Sequence, residues 1–302
     1  MKNIEKYRTF CENNGDIPIF SQPWWLDAVC GENKWNVYLY TKGESILASC
    51  AYFLNNEKNK TIKPTVTQNN GLIINYPINQ KITSRLDYEE RIITDFCDFI
   101  DTLNLKKYEQ QYHYRFTNWL PFFWREYKEI TRYTYVIDDT SNMENVRNDY
   151  SSKIRNKIKK AKNMLTVKEL DDKELFYKIN KMTFDRQGKE IPYSYNFFSN
   201  LYDECKKKNC TKLLYAIDDE NRVHSVAMIV WDSSSVYYLL NGTDPELKQF
   251  QGNALLIDKS IEIASKLGKK FDFEGSVIKG IEQSFRQYGG IPKPYFRIYK
   301  EF

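Results

Sequence analysis

Histidine is scarce in this sequence, and its cysteines are not paired. Of 302 residues only His113 and His224 carry imidazoles, and Cys11, Cys30, Cys50, Cys97, Cys205 and Cys210 form no C-x-x-C pair. A His/Cys zinc site is therefore not expected, and scattered thiols of this kind fit a reduced, cytoplasmic setting. Neither histidine sits in a nucleophile motif, which argues against a Ser/His/Asp triad. No apolar run approaches the roughly 20 residues that span a bilayer. The opening MKNIEKYRTF alternates charged and apolar residues and has no continuous apolar core of the signal-peptide kind. A strong charge of either sign is also absent. The formal net charge is +5 and the isoelectric point about 8.6, enough to favour anionic ligands but short of a dedicated nucleic-acid binder.

What is present is enough apolar material for folding: 41% of residues are hydrophobic and 16% aromatic. The length allows two domains, because single cores rarely grow past about 250–300 residues. In the second half, TKLLYAIDD, RVHSVAMIVWDS and SVYYLLNGTD are β-rich runs separated by Asp-Asp-Glu-Asn and Asp-Ser-Ser-Ser, which predicts an antiparallel meander. Ala254, Ile257, Ile261 and Ala264 then repeat at helical spacing up to a glycine cap at Gly268. KKFDFEGS reads as a strand, IKGIEQSFRQYGG as a helix and KPYFRIYKE as a last strand. The first half repeats this order more loosely, from PWWLDAV through WNVYLYTK, ESILASCAYFL and NNGLIINYP to an acidic amphipathic helix and two further strands. The expected architecture is α/β (α+β): tandem domains over 1–140 and 141–302, each a mixed, mainly antiparallel sheet flanked by helices. The boundary falls where DDTSN interrupts the apolar runs.

The third meander strand leads into Gln249-x-x-Gly252-x-Ala254 and a helix. With the stretches 135–163, 238–256, FDFEGS and FRQYGG, that order resembles the GNAT acyltransferase superfamily, and within it the tandem-domain branch of Fem-type transferases. The resemblance implies that Gln249, Gly252, Asn253 and Ala254 hold the pyrophosphate of acetyl-CoA or another acyl-CoA. Leading amides of a helix lack partners within it and its dipole favours anions, so small side chains there let a phosphate approach. A bare helix start is the plainer alternative for so loose a motif. NYPINQKITSRLDYEE, at the matching place in the first half, has no such motif, so one donor site per chain is expected.

In the GNAT family the third meander strand splays from its neighbour and exposes a backbone N–H to the developing oxyanion, here near Leu239, Leu240 or Asn241. Glu274, then Asp272, are the candidate general bases, read as sharing one strand face by period-two alternation. Either could instead face water or cap a helix. Phe285 stands where many GNAT enzymes place a tyrosine acid, with Tyr288 as a nearby substitute. The basic run SSKIRNKIKKAKN is either a solvated face or a contact for a phosphorylated acceptor. Lys153, Arg155, Arg286 and Tyr238 are the candidate substrate contacts. GKEIPYSYNFF forms either an acceptor wall or a core-packing loop.

The expected activity is transfer of an acyl group, acetyl foremost, from acyl-CoA to an amine or hydroxyl of a sugar or cell-envelope precursor, lipid- or nucleotide-linked, with no metal. Two other readings stand beside it. One is Fem-type aminoacyl transfer from aminoacyl-tRNA to a peptidoglycan precursor, weakened by the lack of an inserted helical arm; the other is a non-catalytic ligand-binding protein of the same fold.

Overall fold

A computed structural model describes residues 3–302. The chain divides into two compact units, one running to Arg132 and including Pro294–Phe302, the other Tyr133–Lys293. The expected boundary at 140/141 lies inside the second of these. The difference arises because two long strands each contribute residues to both units, which local composition does not reveal.

The first unit begins with helices α1 (Asn3–Glu12) and α2 (Pro23–Cys30), then strands β1 (Trp35–Lys42), β2 (Ser45–Phe53) and β3 (Ile73–Ile74). β1 and β2 pair along their whole lengths, whereas β3 pairs with β2 only at Ala48 and Ser49. There follow α3 (Ile82–Thr102), β4 (Lys107–Gln111), α4 (Leu120–Trp124) and β5 (Lys128–Ile137). α3 is amphipathic, and its Ile92, Ile93, Phe96, Cys97 and Ile100 are buried with Tyr108, Tyr112 and Phe122 in one core.

The second unit continues with α5 (Met143–Asn148), α6 (Ser152–Lys162), β6 (Thr166–Glu169), α7 (Lys173–Asp185) and α8 (Tyr195–Lys207). The meander β7 (Thr211–Ile217), β8 (Val223–Trp231) and β9 (Ser235–Thr243) precedes α9 (Gly252–Lys266), β10 (Lys270–Asp272), α10 (Lys279–Phe285) and β11 (Ile291–Glu301). β11 begins in the second unit but from Pro294 belongs to the first, within which its residues from Arg297 onward pair antiparallel with β4.

Within the second unit the strand order is β5-β10-β9-β8-β7-β6, antiparallel throughout except for β10 beside β9. The hairpin turns form as their composition requires. Asp218 Oδ1 accepts from the Glu220 and Arg222 amides, and Asp232 Oδ1 from those of Ser234 and Ser235. α9 lies on β7, β8 and β9, where Leu256, Ile257, Ile261 and Ala264 are fully buried. Arg147 and Lys162 both reach the buried Asp258 of α9, at 2.9 and 3.2 Å, and so tie α5 and α6 to that helix.

Candidate functional site

The site begins with an irregularity in β9. Met228 pairs with Leu240 but Ile229 with Tyr238, so Leu239 is an extra residue that bulges the strand. β10 accompanies β9 only along Ser235–Tyr237, and from Tyr238 onward β9 leaves its parallel neighbour behind. α7 closes on this free length: Asn180 Nδ2 donates to Asn241 O at 2.6 Å, and Thr183 Oγ1 accepts from the Thr243 amide at 3.1 Å. Only glycine fits at 242, where a Cβ would lie 2.5 Å from Asn180 Cα. Asn180 is itself held by the Tyr193 hydroxyl at 2.6 Å, which makes this part of GKEIPYSYNFF a buried packing element.

After β9 the chain makes a 3-10 turn over Lys248–Phe250. Gln251 takes a left-handed backbone with φ 63°, and α9 starts at Gly252. The first bond into the helix runs from Ala254 N–H to Gln251 O at 3.0 Å, so the amides of Gly252 and Asn253 lead it. A Cβ on Gly252 would meet Ser225 Oγ at 2.8 Å and Ala216 Cβ at 3.3 Å. The glycine is thus required for packing on β7 and β8 as well as leaving its own amide uncovered. Asn253 is oriented from below, its Oδ1 accepting from the buried Tyr238 hydroxyl at 2.9 Å.

Gly252, Asn253 and Ala254 open onto a cavity of about 210 Å³, together with Asn241, Thr243, Gln251, Ser284 and Tyr288. Lys157 from α6, Lys248 from the 3-10 turn and Arg186 at the end of α7 also line it, and among the described residues no Asp or Glu does. Three cations and the positive end of a 15-residue helix therefore share one space. Partial burial, followed by repulsion from Lys153 and Lys248, lowers the pKa of Lys157, the behaviour of a cation held among cations.

The family described as the Acetyltransferase (GNAT) domain matches residues 148–280. That span contains the whole cavity apart from Ser284 and Tyr288. This stretch is therefore similar to GNAT domains. No curated protein matches the sequence. Among solved structures, FemX aligns with a TM-score of 0.69 at 13% identity, over 97% of this chain and 95% of its own. L-PGS from Bacillus licheniformis aligns with a TM-score of 0.57 at 10% identity, over 97% and 90%. A tandem GNAT protein from the clavulanic acid biosynthesis pathway gives 0.51 at 7% identity, over 98% and 93%. The fold is thus that of the tandem, Fem-like GNAT proteins along nearly the whole chain.

The fold brings together some of the residues singled out in the sequence and separates others. Asn241, Gly252, Asn253 and Ala254 converge on the cavity, and Tyr238 supports Asn253 from the core. Leu239 and Leu240 occupy the bulged part of β9. Gln249 is exposed and does not line the cavity, which Lys248 and Gln251 reach instead. Lys153 is exposed, and Arg155 donates to Asn148 O at 3.0 Å and to Tyr150 O, tying its own helix to the preceding segment. Arg286 is exposed near Glu282 at 3.6 Å.

The expectation that Asp272 and Glu274 share a strand face does not hold, because β10 ends at Asp272. Glu274 has φ 60°, and Gly275 follows with φ 65°, where a Cβ would meet Tyr133 O at 2.0 Å. Asp272 is fully buried, accepting from the Thr134 hydroxyl and, at 2.7 Å, from the Glu274 amide. Phe285 packs on Phe273 with ring centres 5.1 Å apart.

Sequence reasoning missed Arg186, Lys248, Gln251, Thr183 and Ser284. Lys248 and Gln251 flank the motif and were within reach of a reading that followed the turn rather than the motif spacing. Nothing local marks Arg186. Among the described residues no group of three or more His, Cys, Asp or Glu could hold a metal ion, and no helix is long and apolar enough to cross a membrane.

Proposed function

We propose that this GNAT-fold transferase moves an acyl group, acetyl foremost, from acyl-CoA to an amine or hydroxyl of a sugar or cell-envelope precursor. One observation carries the reading: Lys157, Arg186 and Lys248 join the leading amides of α9 in a cavity without carboxylates. A diphosphate complements that arrangement in charge and in acceptor geometry. With the diphosphate there, the thioester carbonyl is assigned to the length of β9 beyond Tyr237, where the strand bulges at Leu239 and no longer pairs with β10, as the place for a backbone amide to stabilise an oxyanion.

The acceptor N–H or O–H loses its proton as its lone pair forms the new bond to the carbonyl carbon. The C–S bond then breaks, and the electron pair leaves on sulfur as the CoA thiolate. A thiol of ordinary pKa near 8.5 leaves without a strong acid, which suits a site with Phe285 where a tyrosine is common. The base is assigned to Glu274, with Asp272 as a positioning residue that holds the Glu274 amide.

A second reading, transfer from aminoacyl-tRNA, draws on the exposed Lys153, Lys159 and Lys160, which extend the charge of Lys157 along α6 toward a longer polyanion. Calorimetric titration with acetyl-CoA and with total aminoacyl-tRNA separates the two. The acyl-CoA reading expects saturable acetyl-CoA binding that weakens in Lys157→Gln/Lys248→Gln. Tight RNA binding that falls steeply with salt, without CoA binding, favours the second. Acetyl-CoA binding with no release of CoA in the presence of amine or hydroxyl acceptors marks a ligand-binding protein.

A further inference from the structure

We propose that the first unit carries its own oxyanion site, suited to a phosphate monoester or diphosphate group, in a cavity of about 250 Å³ lined by Lys63, Glu109, Gln110, Gln111, Arg132 and Arg297. This inference stands independently of the acyl-CoA reading. Three of these side chains are cationic and one is anionic, leaving a net charge of +2. The single carboxylate is already engaged, because Glu109 accepts from Arg297 and lies 3.2 Å from Lys107 Nζ. Arg132 is different. Its Nε is buried and has no hydrogen-bond partner among the described residues. A buried guanidinium N–H left without an acceptor is costly, so a fold that keeps one beside a cavity has a place for an acceptor to enter.

The wall of the cavity gives a second, separate indication. The chain between Lys63 and Asn70 holds Val66 at φ 57°, a left-handed backbone that a β-branched residue rarely adopts. Strain of this kind persists only where surrounding contacts enforce it, and it gathers at ligand sites. Here the enforcing contacts come from cavity residues: Lys63 Nζ donates to Thr67 O at 2.8 Å and Gln111 Nε2 to Gln68 O at 2.5 Å. Gln68 is itself buried, and its Nε2 also has no hydrogen-bond partner among the described residues. A rigid arginine fork and a lysine point charge around a space with net charge +2 match a phosphoryl group, which carries about −1.5 to −2 at neutral pH, better than a monocarboxylate.

The test uses the full chain with the α9 cavity disarmed by Lys157→Gln/Lys248→Gln. Pyrophosphate and acetate are titrated into it by calorimetry, with and without Arg132→Gln or Arg132→Lys. Saturable pyrophosphate binding is expected in the disarmed protein, with at least a tenfold loss for Arg132→Gln, a smaller loss for Arg132→Lys and no saturable heat from acetate. Absent pyrophosphate binding, or equal affinity in Arg132→Gln, overturns the site. Acetate binding as tight as pyrophosphate overturns the phosphoryl class. If Arg132→Gln does not fold, Lys63→Gln on an exposed side chain takes its place: weaker pyrophosphate binding supports the site, and unchanged binding overturns it.

Discussion

The two units both run a three-strand meander into a helix, yet the junctions are built differently. In the second, β9 is nine residues long, bulges at Leu239, and leads to a helix opening with Gly-Asn-Ala, its glycine pressed against Ser225 and Ala216. In the first, β3 has two residues, and α3 starts behind Lys81 with Ile82 67% exposed and Ile78, four residues earlier, 92% exposed. Both helices have a positive end by virtue of their backbones. Only α9 combines that end with small leading residues and three converging cations. A helix dipole is therefore generic, and what makes a site is the room at its mouth and the side chains brought there by other elements.

Four experiments press on this contrast. Gly242→Ala forces a Cβ into the backbone of α7 at 2.5 Å and is expected to cost at least about 3 kcal/mol in urea denaturation. Gly43→Ala, in the β1–β2 turn with nothing within 4 Å, costs about 1 kcal/mol through its φ of 58° alone. Equal losses would show that β9 and α7 are not closely fitted. Glu274→Gln is expected to lower kcat about 100-fold while leaving KM for acyl-CoA unchanged; a rise in KM alone would mean that Glu274 serves binding. Lys157→Gln/Lys248→Gln should weaken CoA about tenfold or more. Lys81→Gln, at the start of α3, should leave CoA affinity as it was.

The smallest effect is in pH dependence. Because burial and neighbouring Lys153 and Lys248 depress the pKa of Lys157, its charge is lost at lower pH than that of a free lysine. CoA affinity should fall on this alkaline limb, and Lys157→Arg should move the fall to higher pH. Stability has the opposite sign. Between the depressed folded pKa and the ordinary value of 10.5 the unfolded chain binds more protons, so the ligand-free protein gains from this group as pH rises.

Much of the fold was legible because its determinants are local. Asp218 and Asp232 cap the turns their neighbours predicted, and the spacing of Ala254, Ile257, Ile261 and Ala264 marks the buried face of α9. The site was legible only where it coincides with such an element, at Asn241 and Gly252–Ala254. Arg186 lies far from the motif in sequence and meets Lys248 only through the packing of α7 on β9. In sequence Gly252 reads as room for a phosphate, yet the packing of α9 on the sheet demands the same residue, and a sequence cannot separate two demands met by one glycine. Glu274 is named in sequence as a candidate base, but its conformation is not legible there, because a left-handed residue after a three-residue strand looks like one more alternating position.

In the proposed function the leading amides of α9 bind the diphosphate of CoA. Following the backbone amide resonances of Gly252 and Asn253 by 15N NMR during a CoA titration tests it most directly. Saturable shifts are expected at both residues that track the calorimetric binding curve and weaken together in Lys157→Gln/Lys248→Gln. CoA binding that leaves both amides unmoved would contradict it.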